Sequence, residues 1–203
     1  MSIRFTSDRY PIEISIYRYE DNFQQDLLDK ITLDSTLVYI REINEIDSYI
    51  IKSQDESDFL FFIWDGDVDI NLNSKQIYKS HVLNSAYTEE YYIFKNNLEK
   101  VVYKPIRQLD TLINKIKNDS SKYDKELINK VNINRNELMS KGPEEFRLYI
   151  RRYFTNNPYS YIAIYHMDRA GIIPNKEEAN MLKQAPDKIK NNHRYYRIVS
   201  RLD

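Results

Sequence analysis

Seven consecutive residues, DFLFFIW at 58–64, constrain this chain more than any other stretch. Successive side chains of a strand point to opposite faces. An unbroken apolar run of strand length therefore predicts a strand covered on both sides. Around it, short apolar runs alternate with amphipathic stretches. Ile12, Ile14 and Ile16 alternate in PIEISIYRY, the pattern of a strand, and STLVYI at 35–40 reads as a second one. FQQDLLDKI places Phe23, Leu27, Leu28 and Ile31 at helical spacing, and INEIDSYII places Ile43, Ile46 and Ile50 on one helical face. A weaker strand follows at 81–86, a helix at 88–98, a strand at 98–103 (LEKVVY) and a helix at 109–116. Strands alternating with helices predict an α/β fold, a doubly wound five-stranded parallel sheet. Arg18 is the odd residue in this scheme, a charge within a strand that should be buried.

The second half reads as short helices. Pro143, followed by Glu144 and Glu145, has the composition of a first helical turn. Phe146, Tyr149, Ile150, Tyr153 and Phe154 then form an apolar stripe. Pro158 opens a further helix, Asn175 and Glu178 form a capping pair for another, and Tyr195, Ile198, Val199 and Leu202 mark a terminal one. NDSSKYD at 118–124 is polar and aperiodic. The expected organisation is a domain over 1–118, a linker at 119–125 and a basic all-α domain over 126–203.

Charge supports that division. Residues 1–119 hold 14 Lys+Arg and 21 Asp+Glu, and residues 120–203 hold 16 and 10, so the net charge of −1 conceals halves of −7 and +6. With no cysteine, disulfide scaffolds, thiolate metal sites and a Cys nucleophile are excluded. Three glycines exclude a Gly-rich phosphate loop, and three isolated histidines make a poor metal site. No apolar run reaches membrane-spanning length, and Arg4, Asp8 and Arg9 interrupt the N-terminus where a signal peptide would need an apolar core. The expected compartment is the cytoplasm.

In a doubly wound sheet, sites form beyond the carboxyl ends of the strands. Glu20 and Asp21 follow the first strand, Asp65 and Asp67 the third, Ser85 the fourth and Lys104 the fifth. Grouped carboxylates repel one another unless a cation offsets the charge, and a hard oxygen-rich set suits Mg²⁺. A carboxylate can accept a phosphoryl group, and a lysine with a hydroxyl can hold its oxygens.

With YEDN at 19–22, Trp64-Asp65, NSA at 84–86 and YKPI at 103–106, residues 10–117 resemble the receiver domain of two-component response regulators. The resemblance implies a flavodoxin-like fold with Asp65 as phosphoacceptor. Glu20, Asp21, Asp65 and the Asp67 backbone would serve Mg²⁺, and Ser85 and Lys104 would read the phosphoryl group. It implies a histidine kinase or phosphotransfer protein as partner, and self-phosphorylation from a donor as the only chemistry. Arg147, Arg151, Arg152, Lys188, Lys190, Arg194, Arg197 and Arg201 are the candidate DNA-phosphate contacts of an output domain regulating transcription, with a homodimer as a further expectation. Residues 159–190 could form a helix-turn-helix. Two alternatives stand beside this reading. One is a phosphorylation-independent receiver relative acting as a protein-interaction module. The other is a small metal-dependent transferase using Asp65 and Asp67 as a D-x-D pair.

Overall fold

The structure is a computed structural model that describes residues 1–19, 25–43, 45–54, 58–119 and 122–202. It divides into two compact units, Met1–Tyr91 and Tyr92–Asp203. The described residues of the expected linker at 119–125 lie in the second unit, after a helix that ends at Asn118 and up to one that begins at Lys125.

Among the described residues, the first unit holds eight strands: β1 Ser2–Ser7, β2 Ile12–Tyr19, β3 Gln25–Leu33, β4 Leu37–Ile40, β5 Asp47–Ser53, β6 Phe59–Trp64, β7 Val68–Leu72 and β8 His81–Leu83. They form a mixed sheet in the order β4-β1-β7-β8 and an antiparallel sheet in the order β3-β2-β5-β6. Within the mixed sheet β1 and β7 run parallel, while β4 and β8 run antiparallel to their neighbours. Ile3, Phe5 and Ile70 of one sheet share a core with Ile14, Ile16, Tyr49, Phe62 and Trp64 of the other. This is sheet-on-sheet packing. Each such side chain, fully buried, stabilises the fold by about 1.5–3 kcal/mol.

This architecture replaces the expected five-stranded parallel sheet. Two segments read as crossover helices are strands, and the strand expected at 98–103 is helical. The first error has a local cause. The pairing of β2 with β3 shifts register between Ile16 and Tyr17, so Ile16 faces Asp29 while Tyr17 faces Leu27. Leu28 is the extra residue of a β-bulge, which resets the alternation of faces. Leu28 and Ile31, three apart, therefore both pack on the core and imitate a helical period. β5 misleads for another reason. It is buried from Asp47 to Ile51 on both faces, so its isoleucines lose the two-residue alternation. The 58–64 run is the both-face strand expected, in an antiparallel setting.

The helical elements are α1 Ala86–Leu98, a π-helical turn Glu99–Tyr103, α2 Lys104–Asn118, α3 Lys125–Asn156, α4 Tyr161–Arg169, α5 Lys176–Lys183, α6 Asp187–Lys190 and α7 His193–Val199. The boundary between the units falls within α1. On the sandwich side, Tyr91 stacks on Phe61 with ring centroids 4.2 Å apart. In the helical unit, the Phe94 ring lies 4.0 Å from His166 and 4.8 Å from Tyr153. The Val101-Val102 pair that suggested a strand sits in the π-helical turn, with Val102 buried. Pro143 lies inside α3 rather than at its start. The helix extends back to Lys125 because Val131 is buried and Arg135 donates to Asp110 across the pairing of α3 with α2. α4 is buried almost all round and packs against α3 and α7.

Candidate functional site

β6 is an edge strand, and an edge presents unpaired peptide groups. The start of α1 covers them. The Ile63 N–H donates to Thr88 Oγ1 at 2.9 Å, and the Ile63 carbonyl accepts from Ser85 Oγ at 2.9 Å. Ser85 Oγ also accepts from the Thr88 N–H at 3.1 Å, the geometry of a helix N-cap. Both hydroxyls are buried. Ser85, nominated as a phosphoryl contact, thus seals a sheet edge and caps a helix.

The other nominated groups have settings of their own. Asp67 accepts from the Ser2 hydroxyl at 2.9 Å and from the Ser2 N–H at 2.8 Å. These bonds hold its carboxyl below the usual carboxylate range. Asp65 follows β6, and its Oδ1 is buried with no hydrogen-bond partner among the described residues. Burial, with the Asp65 charge as the next cause, raises the Tyr87 phenol. Lys104 is the exposed first residue of α2, in the helical unit. Glu20 and Asp21 lie outside the described residues. Of the groups expected to hold Mg²⁺, Asp65 and Asp67 fall among the described residues, and the Ser2 bonds engage the Asp67 side chain rather than the backbone carbonyl expected to serve the ion.

Arg18, the unexpected charge, has partners on neighbouring backbone. Its Nε donates to Asp47 Oδ2 at 2.7 Å and its Nη2 to Glu45 Oε1 at 2.9 Å. Burial pulls the guanidinium down, and Asp47, Tyr49 and Glu45 together outweigh it, leaving Arg18 above its ordinary value. Burial, then Asp47, pushes Tyr49 up to about 12.

In the helical unit, four of the eight nominated DNA contacts serve the fold. Asp168 on α4 is buried and accepts from three guanidiniums: Arg194 at 3.4 Å, Arg201 at 2.6 Å, and Arg197. Arg194 is itself buried, 4.7 Å from the centroid of the Tyr165 ring. Arg151 ties α3 to α5 by pairing with Glu178, and donates to the Ile173 carbonyl at 2.9 Å. Glu178 completes the expected capping box with Asn175. Arg147, Arg152 and Lys188 are exposed, and Lys190 is half-buried. Within 159–190, α4 packs on α3 and α7, and α5 follows with its own capping box.

Sequence reasoning missed Asp168, yet it left two signals. A carboxylate stands inside the apolar helix YIAIYHMDR, and Arg194, Arg197 and Arg201 follow at i, i+3 and i+7, one helical face. His166, two residues before Asp168, is lowered to about 3 by burial, with Arg169 and Arg194 adding to it. It is therefore neutral at pH 7.

The charge asymmetry sharpens at the structural boundary. Residues 1–91 carry 8 Lys+Arg and 18 Asp+Glu, a net of −10, and residues 92–203 carry 22 and 13, a net of +9. No family model, curated protein or solved structure matches the chain.

Proposed function

We propose that this chain is a nucleic-acid-binding protein whose helical unit, residues 92–203, contacts the phosphate backbone. The observation that carries the reading is the swing from −10 to +9 at residue 91/92. A unit with that excess attracts a polyanion over the range set by the Debye length. Arg147 and Arg152 on α3 are the leading contacts. Both are exposed, and neither has an ion-pair partner among the described residues. Such contacts supply affinity without reading sequence. Phosphorylation of Asp65 is not part of this proposal, because the parallel sheet whose strand ends would gather its partners is not the fold.

The test is fluorescence anisotropy of the full chain with a labelled DNA duplex across a salt series. About four phosphate contacts give roughly a hundredfold loss of affinity between about 50 and 200 mM salt. Arg147→Glu with Arg152→Glu should lower the salt slope by about two. Absence of binding at low salt, or binding indifferent to salt, would replace this reading with that of a protein-interaction module.

A further inference from the structure

The sandwich unit is acidic, yet two of its cations, Arg9 and Lys75, lie at one of its ends. The β1–β2 connection carries Arg9, and the segment after β7 carries Lys75. Because β1 and β7 run parallel side by side, the two connections leave the sheet at the same end. They are stitched together. The Asp8 N–H donates to the Leu72 carbonyl at 3.2 Å, and the Ser74 N–H donates to Asp8 Oδ1 at 2.8 Å. Each connection is also braced internally. The Ser7 N–H donates to the Tyr10 hydroxyl at 2.9 Å, which fixes that ring, and the Lys75 and Gln76 N–H groups both donate to Asn73 Oδ1.

Between these connections lies a cleft of about 500 Å³, lined by Arg9, Tyr10, Pro11, Glu13, Ser74 and Lys75 among others. That volume is within the range of small-molecule sites. Arg9 and Lys75 are exposed and have no ion-pair partner among the described residues. They remain so in a unit that holds 18 carboxylates and pairs its Arg4 with Asp69 and its Arg18 with Asp47 and Glu45. Arg9 and Lys75 line this cleft with one carboxylate, Glu13, so the lining carries a net positive charge and favours an anion. The guanidinium adds the fork that suits phosphate oxygens. The Tyr10 ring and Pro11 supply an apolar wall for the body of the ligand, and Ser74 a hydroxyl.

We propose that this cleft binds a phosphomonoester, with Arg9 and Lys75 on the phosphate and the organic portion against Tyr10 and Pro11. The site is separate from the nucleic-acid contacts of the helical unit and does not depend on them.

The experiment is a titration of the isotopically labelled full chain with phenyl phosphate, followed by backbone amide NMR. Saturable shifts are expected at residues 8–13 and 74–76. Benzoate, with one negative charge, and neutral benzyl alcohol should bind at least about tenfold more weakly. Arg9→Ala with Lys75→Ala should weaken phenyl phosphate by about tenfold or more, while amides outside the cleft keep their wild-type positions as a control for folding. Adenosine 5′-monophosphate and O-phosphotyrosine carry the same group on different bodies, so whichever binds tighter identifies the source of the ligand. Absence of phenyl phosphate shifts in the cleft overturns the proposal. Benzoate binding of equal strength, or undiminished binding in the double variant, overturns it as well.

Discussion

The two units handle a buried charge in opposite ways. In the sandwich, a single cation, Arg18, sits between two carboxylates, Asp47 and Glu45. In the helical unit, a single carboxylate, Asp168, gathers three guanidiniums. Each hub carries the sign that is scarce in its own unit, −10 for the sandwich and +9 for the helices. The scarce charge is therefore the one whose loss is felt most, since several groups of the abundant sign share it.

The largest expected effect follows directly. Asp168→Ala leaves Arg194, which is buried, without this carboxylate and turns three neighbouring cations against one another. Denaturant unfolding should register a loss of about 3–5 kcal/mol. Arg18→Leu removes a cation paired with the buried Asp47, which keeps the Ser48 N–H at 2.8 Å, and Arg18 is one-third exposed so that water can reach the gap. About 2–3 kcal/mol is expected there. A larger loss at Arg18 than at Asp168 would break the comparison.

Acid separates the units further. His166 is lowered from 6.5 to about 3, so the unfolded chain takes up a proton on this group at a higher pH than the folded one. Stability from this group is fully present above about pH 6.5 and is lost as the pH falls toward 3. Helical-unit stability should decline by about 2–3 kcal/mol between about pH 7 and pH 4. His166→Phe, which keeps an aromatic ring against Phe94, should flatten that decline. An unchanged acid profile in this variant would assign the pH dependence elsewhere.

The smallest effect concerns the sealed edge of β6. Ser85→Ala removes an N-cap and a partner of the Ile63 carbonyl, and thermal unfolding should show a cost of about 1–2 kcal/mol. A neutral outcome would mean that Thr88, which also reaches Ile63, covers the edge alone.

The site was less legible in the sequence than the elements. Residue types at the ends of apolar runs suggested one convergent pocket at Asp65, Ser85 and Lys104. Convergence depends on strand direction and order, and neither is written in the residues of a single strand. Ser85 shows the consequence. A serine before a helix is equally fit to cap it or to meet a ligand, and here the open edge of β6 claims it.

Several features were fixed locally and could be read directly. The run at 58–64 set a strand covered on both faces. The Asn175–Glu178 pair set the start of α5, and the apolar stripe from Phe146 to Phe154 set the second half of α3. Each depends on backbone geometry or solvent exclusion within a few residues, so sequence alone determines it. Tertiary structure decided the rest. A bulge opposite Ile16 turned an apparent helix into β3, and pairing on both sides made β5 a strand. Helical surroundings absorbed the Val101-Val102 pair, and packing against α2 carried α3 through Pro143. The physical reason is common to all four. Apolar spacing reports which side chains avoid water, while the partners that exclude the water, distant in sequence, select the backbone that brings them there.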